Sequence, residues 1–173
     1  MANKLINLET DLNKIIQSDA NLFFKKLYIQ KNYSLETNRG LIFNTFPDLK
    51  LKLNQAKTEL SRKKVIKKFI TGFYKLYKTK INYIIKRLTL EVSNNNTAIL
   101  QLGSIMNFKW SSNFCGYTII PTILPFSPFE NNTIFYSILG NLLEPRSKNN
   151  NMTITIMHEV SHFILHDKMN HGA

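Results

Sequence analysis

Two histidines four residues apart carry the clearest chemical signal in this chain. They belong to the segment His158-Glu159-Val160-Ser161-His162, and all four histidines of the sequence lie within its last 16 residues. Positions i and i+4 of a helix share one face, so both imidazoles can reach a single metal ion. A bound metal can activate water, and the carboxylate between the ligands can take its proton. The spacing therefore predicts metal-assisted hydrolysis of a peptide bond.

Each residue of the motif has an expected role. We expect His158 and His162 to bind Zn²⁺ through neutral imidazole nitrogens. Glu159 is predicted to be the catalytic general base, which takes a proton from the zinc-activated water and passes it to the leaving amine. The competing interpretation is a helix that exposes two histidines near the end of the chain without binding a metal.

The third zinc ligand is not fixed by the sequence, although a catalytic zinc ion normally has three protein ligands. His166 is eight residues from His158, about 12 Å along a helix, which is too far for one shared ion. His171 is the best candidate, because the chain can turn back where Asn170 and Gly172 would end the helix. The alternatives are a two-histidine site open to water, or a ligand from Glu130 or Glu144 in the loops.

The motif lies in a segment with helical periodicity. Apolar residues recur at helical spacing from Met152 to about Lys168, and the asparagines at 149–151 offer candidate N-caps. A helix here would give the ligands apolar neighbours and a fixed orientation.

The rest of the chain divides into a helical part and a part with short β-type runs. The predicted helices cover residues 3–18, a segment that starts at Asp19, and residues 54–90. Gly72 is expected to bend the long helix, and residues 32–50 are expected to be a connection. The candidate strands are 97–102, 105–110, 116–120 and 133–139. We therefore predict an α+β fold in which a basic helical region, residues 1–93, precedes a core at 94–173.

The net charge of +12 is concentrated in the first half of the chain. Residues 1–90 hold 19 of the 23 Lys and Arg residues and 6 of the 11 Asp and Glu residues, whereas residues 91–173 are close to neutral. This asymmetry predicts an anionic partner for residues 54–90, either nucleic acid or a membrane surface. A solvated helical region rich in Lys and Asn is the equal alternative, and its aromatic residues are expected to face the core.

Composition restricts the class of protein. The single cysteine, Cys115, excludes an internal disulfide framework and indicates a reducing compartment, so a cytoplasmic location is expected. The N-terminal residues lack the apolar run of a signal peptide. No stretch reaches the roughly 18 apolar residues of a transmembrane helix, since prolines interrupt the most apolar one, residues 115–129.

Residues 155–166 resemble the active-site helix of the ImmA/IrrE-type metallopeptidases. That helix typically reads T-[IL]-A-H-E-[LI]-G-H-x-[LI]-L-H, and this chain matches it at eight positions, with Met157 and Ser161 among the departures. The resemblance implies a zincin fold, a cytoplasmic zinc peptidase and a protein substrate such as a transcriptional repressor. It also implies a truncated domain, because that family takes its third ligand from an acidic residue on a later helix.

A second resemblance spans more of the chain. SprT-like short zincins have a Trp-containing strand, then a Gly, then the H-E-x-x-H helix, then a His followed by Gly or Ser. Lys109-Trp110-Ser111-Ser112, Gly116-Tyr117-Thr118 and His171-Gly172 are similar to that layout. This resemblance implies that His171 is the third ligand and that DNA-bound proteins are the substrate class.

Residues and resemblances together predict a zinc metalloendopeptidase with a small zincin-like sheet and an H-E-x-x-H active-site helix. Its expected cofactor is Zn²⁺, its substrate a protein or peptide, and its site Glu159 with His158, His162 and His171. The alternative is a basic protein that binds nucleic acid or a membrane surface, in which the metal site is structural or vestigial.

Overall fold

The computed structural model describes residues 5–29, 34–94, 96–110, 116–143 and 152–171. These residues form a mixed α+β fold with eight α-helices and one four-stranded sheet, which confirms the predicted class. The helices are α1 (Leu12–Phe24), α2 (Ser34–Thr45), α3 (Pro47–Gln55), α4 (Glu59–Leu76), α5 (Lys78–Asn94), α6 (Asn96–Ile105), α7 (Leu139–Leu143) and α8 (Met152–His171). A π-helix, Lys25–Ile29, continues from α1. The strands are β1 (Ile6–Leu8), β2 (Tyr117–Thr122), β3 (Phe129–Glu130) and β4 (Thr133–Ser137).

The sheet joins distant parts of the chain in the order β1-β2-β4-β3. β1, β2 and β4 are parallel, and the short β3 runs antiparallel to β4 at one edge. The strands predicted at 116–120 and 133–139 are confirmed by β2 and β4. The helix predicted at 3–18 is wrong at its start, because β1 pairs with β2 and buries Ile6 there.

The strands predicted at 97–102 and 105–110 are also wrong. α6 covers the first segment and ends at Ile105. Ile99 is buried whereas Leu100 and Ile105 are exposed, so this apolar run has one buried helical face. A short apolar run is ambiguous between strand and helix, and contacts with α5 and α8 decide it here.

Asp19 does not begin a helix, although the sequence predicted a cap there. α1 instead begins after Asp11, whose side chain accepts a hydrogen bond of 2.9 Å from the Asn13 N–H. Asp19 therefore lies inside α1, where its side chain is fully buried.

The basic region contains more helices than its periodicity indicates. The predicted connection at 32–50 holds α2 and the start of α3, with Pro47 in the first turn, where its missing N–H costs nothing. The helix predicted at 54–90 begins only at Glu59, because residues 54–55 end α3. It is divided at Tyr77 into α4 and α5 rather than bent at Gly72.

Aromatic residues of α4 pack toward the core, as expected. Phe46 contacts the rings of Phe69 and Phe73 edge-on, with centroid distances of 5.2 and 5.9 Å. Tyr77 packs on Phe73 at 4.7 Å. Phe46 is buried, whereas the rings of Phe69, Phe73 and Tyr77 are half-buried and pack against the core.

One hydrophobic core spans both predicted regions. It includes Ile15 of α1, Ile70 of α4, Ile119 of β2 and Ile156 of α8, all fully buried. Residues 1–93 and 94–173 therefore share one sheet and one core. Among the helices described, none combines the length and apolarity needed to cross a membrane.

A buried polar cluster connects α1, α4 and β2. The Asp19 carboxylate accepts hydrogen bonds from the Tyr74 hydroxyl (3.0 Å), the Ile123 N–H (3.0 Å) and the Thr122 hydroxyl. Thr122 Oγ1 accepts in turn from the Leu124 N–H at 3.0 Å. Burial raises the pKa of Asp19 to about 6, while these hydrogen bonds oppose the rise.

Candidate metal centre

The apolar face of α8 fixes the orientation of the whole helix. The buried residues of this face are Ile156, Val160, Phe163 and Ile164. Near the start of the helix, the Thr153 hydroxyl donates to Glu91 of α5 at 2.7 Å. With these residues turned inward, His158 and His162 lie on the exposed side of α8.

The two imidazoles of the motif converge, as their spacing predicted. His158 Nε2 and His162 Nε2 are 3.0 Å apart, and the two ring planes are nearly perpendicular at 89°. Two nitrogens bound to one tetrahedral zinc ion at about 2.05 Å would lie about 3.3 Å apart. The pair therefore fits two ligand positions of a zinc ion after a small opening movement.

The edge strand β3 lies against this pair through Phe129. Its ring stacks on the His162 imidazole with a centroid distance of 5.8 Å and an interplanar angle of 12°. The same ring meets Phe163 of α8 edge-on at 4.9 Å. Phe129 is 37% exposed, so its ring forms a wall of the site that solvent and ligands can reach.

Glu130, the neighbour of Phe129, anchors β3 to the N-terminal region. Its carboxylate forms ion pairs with Lys25 (2.6 Å) and Lys26 (3.4 Å), two consecutive residues of the π-helix. Lys26 is almost fully buried. Glu130 is therefore engaged in fixing β3, and its expected alternative role as a metal ligand receives no support from this geometry.

Glu159 lies beside the histidine pair but is largely buried, with 9% of its surface exposed. Burial raises the pKa of its carboxyl above the usual value, and the charges of His158 and His162 oppose that rise. Within the part of the chain that the structure describes, no residue donates a hydrogen bond to this carboxylate. Ser161, three residues after His158, donates a hydrogen bond to the His158 carbonyl oxygen at 2.6 Å.

Among the side chains that the structure describes, none joins the histidine pair as the third ligand expected from the sequence. Among the described residues, no group of three or more His, Cys, Asp or Glu side chains is arranged to hold a metal ion. The turn expected at Asn170 and Gly172 does not begin at Asn170, because α8 continues to His171. Gly172 lies outside the described residues. A continuous helix places the His171 backbone about 13 Å along the axis from His162 and about 20 Å from His158, so one ion cannot bind all three.

The other acidic candidate, Glu144, and the other histidine, His166, add nothing to this picture. Glu144 lies outside the described residues, as does Cys115. His166 belongs to the helical backbone of α8, one turn beyond His162.

The aromatic support behind α8 is a feature that sequence reasoning missed. Tyr117 of β2 stacks on Phe163 at 4.9 Å, and Trp110 meets Tyr117 edge-on at 5.6 Å. Trp110 also contacts Gly103 of α6, where a Cβ would come within 2.9 Å of its indole nitrogen. Trp110 packs against the core. The stacking of Tyr117 on Phe163 and of Phe129 on His162 has no local sequence signal.

Comparison with known proteins finds no matching family model, no matching curated protein and no matching solved structure. The two zincin resemblances therefore rest on the residues that were quoted for them.

Proposed function

We propose that this chain is a zinc-dependent hydrolase of peptide bonds and that α8 is its metal-binding helix. The observation that carries the proposal is the 3.0 Å approach of His158 Nε2 and His162 Nε2 on the exposed face of α8, with Glu159 between them in sequence. Two exposed imidazoles that converge in this way form a natural pair of ligands for a borderline-soft divalent metal.

The two histidines of the motif would bind the zinc ion, and the surrounding residues fix the orientation of the histidines. His158 and His162 would hold the ion through Nε2, and the Phe129 ring stacks on His162. When bound, zinc supplies Lewis acidity that makes water a nucleophile near neutral pH. Because the described residues supply two ligands, we expect weaker zinc binding than at a site with three protein ligands.

Glu159 is the proposed general base and then general acid of the hydrolysis. Its carboxylate accepts a proton from the attacking water and then donates it to the nitrogen of the leaving amine. Because no described residue donates to this carboxylate, neither proton transfer requires the loss of an existing hydrogen bond.

The substrate is expected to bind along β3. This strand is an edge of the sheet, and Phe129 places it beside His162. An extended peptide that pairs with a free strand edge gains backbone hydrogen bonds and passes the metal ligands. This arrangement favours a protein or peptide substrate in an extended conformation.

Zinc binding by the purified chain is the direct test. We expect wild type to bind one zinc ion per chain in isothermal titration calorimetry, and the variant with both His158→Ala and His162→Ala to lose that binding. His171→Ala is the matched control, because it changes another histidine of the same helix that the geometry places away from the pair. The absence of stoichiometric zinc, or equal binding by the double variant, would refute the site.

Exposed lysines support a second candidate function, binding to nucleic acid or an anionic membrane surface. The exposed lysines of α4 include Lys63, Lys64, Lys67 and Lys75. We expect DNA binding that weakens steeply with salt, and reduced binding in a Lys64→Glu, Lys67→Glu variant. No retention on duplex DNA or anionic vesicles at low salt would exclude this candidate.

A further inference from the structure

An open groove lies between α3 and α4, on a part of the molecule that the proposed metal centre does not use. Its volume is about 640 Å³. Val65, Phe69, Phe73 and Leu76 of α4 provide its apolar lining. A volume of this size is within the range of ligand-binding sites in proteins.

The lining of the groove follows the helical repeat of α4. Residues from Ser61 to Leu76 take part, so the lined length is about 22 Å at 1.5 Å per residue. Leu76 is 75% exposed at one end, whereas Phe69 and Phe73 are half-buried along the floor. An apolar surface of this shape matches the elongated apolar face of another helix.

Gly72 opens the middle of the groove. A Cβ added at this position would meet no atom within 4 Å, so the glycine leaves open space and is not required by close packing within the chain. Glycine is unfavourable in a helix interior, and a helix of ordinary composition would have a side chain here. The open space allows the side chain of a bound partner to come close to the α4 backbone.

The charged side chains that line the groove are all positive. Lys52 and Lys68 line it, and no Asp or Glu does so among the described residues. Both lysines are exposed, and neither forms an ion pair within the described part of the chain. Acidic groups beside the apolar face of a partner would complement these lysines.

We propose that this groove binds an amphipathic helix of a partner protein, with an apolar face and acidic flanks. Its apolar residues, spaced i, i+4 and i+7, contact Val65, Phe69 and Phe73, and its acidic residues pair with Lys52 and Lys68. The openness of the groove favours a helix over a single acyl chain. A helix covers the groove with its own backbone, whereas an acyl chain would remain in contact with water along one side.

The test uses a designed, fluorescein-labelled peptide of about 16 residues, long enough to span the groove, with leucines on one face and glutamates beside them. Fluorescence anisotropy measures its Kd for the full chain. The control peptide has the same composition in an order that has no amphipathic face. We expect the amphipathic peptide to bind at least about tenfold more tightly than its control.

Substitutions at Gly72 then locate the binding. Gly72→Leu fills the open space and is expected to weaken binding of the amphipathic peptide at least about tenfold. Gly40→Leu is the matched control, because Gly40 also lies in a helix with no atom within 4 Å of an added Cβ and does not line the groove. Lys52→Glu with Lys68→Glu should weaken the same peptide and favour one in which lysines replace the glutamates.

Several outcomes would overturn the proposal. It fails when both peptides bind equally, when neither binds, or when Gly72→Leu leaves the Kd unchanged. It also fails when palmitate binds in a Gly72-dependent manner and the peptide does not, since the groove would then be a lipid site. Circular dichroism of each variant confirms that a loss of binding is not a loss of folding.

Discussion

Two carboxyl groups in this chain have raised pKa values for the same reason, burial, but their surroundings differ. Asp19 receives three hydrogen bonds, from α4 and from the end of β2, and joins elements more than a hundred residues apart in sequence. Glu159 receives none from the described residues and lies beside two exposed imidazoles. A carboxylate with every donor in place stabilises the fold, whereas a carboxylate without donors remains available for proton transfer.

The largest expected effect is loss of stability in Asp19→Ala. This change leaves the Tyr74 hydroxyl, the Thr122 hydroxyl and the Ile123 N–H without their buried acceptor, at a combined cost of about 4 kcal/mol. Urea unfolding followed by circular dichroism measures the difference. Asp19→Asn is the control, because its amide keeps one acceptor and places a donor toward Thr122. If Asp19→Ala lowers the free energy of unfolding by less than about 1 kcal/mol, the structural role assigned to Asp19 is wrong.

The free energy of unfolding should depend on pH through the protonation of Asp19. Its pKa is about 6 in the folded chain against 3.8 for the free side chain, so the folded state binds the proton more tightly between these values. Stability from this group is therefore greatest below about pH 4 and decreases as the pH rises through 6, by about 3 kcal/mol in total. Free energies of unfolding measured from pH 4 to 7 test this slope, and Asp19→Asn should flatten it. An unchanged slope in that variant would assign the effect to other groups.

Glu159→Gln should separate chemistry from stability. We expect zinc-dependent hydrolysis of a quenched fluorescent peptide to decrease by about 100-fold or more, because the amide cannot accept the proton. Zinc binding should be retained, and the free energy of unfolding should change by less than about 0.5 kcal/mol, since no described donor is left unpaired. Hydrolysis at the wild-type rate in Glu159→Gln would refute the assigned base. Zinc binding without hydrolysis in wild type would leave a metal site but no peptidase.

The smallest expected effect concerns Phe129. Phe129→Ala removes the ring that stacks on His162, a contact worth about 1 kcal/mol, so zinc affinity should decrease by about fivefold. Phe129→Tyr keeps the ring and should retain the affinity. Calorimetry on both variants tests whether β3 positions the ligand or only lies next to it. Equal affinities in Phe129→Ala and wild type would show that α8 alone positions the pair.

Local pattern predicted the elements that depend on local forces. The spacing of apolar residues gave α8, and it also predicted that His158 and His162 would share a face. Short β-type runs between turn residues predicted β2 and β4. The elements that sequence reasoning missed depend on partners far away in the chain. Helical spacing at 3–18 did not indicate that residues 6–8 would pair with β2, because strand pairing depends on an edge that another part of the chain supplies.

The sequence by itself determined the chemical pair. An i, i+4 spacing on a helix brings two imidazoles together whatever surrounds them, because helix geometry is local. Only the tertiary structure decided what lies around that pair. It brings Phe129 against His162 through an ion-paired edge strand, buries Glu159 without a described donor, and carries His171 away along a continuous α8. The physical reason is that packing and hydrogen bonding between distant segments are set by the whole core and not by the motif.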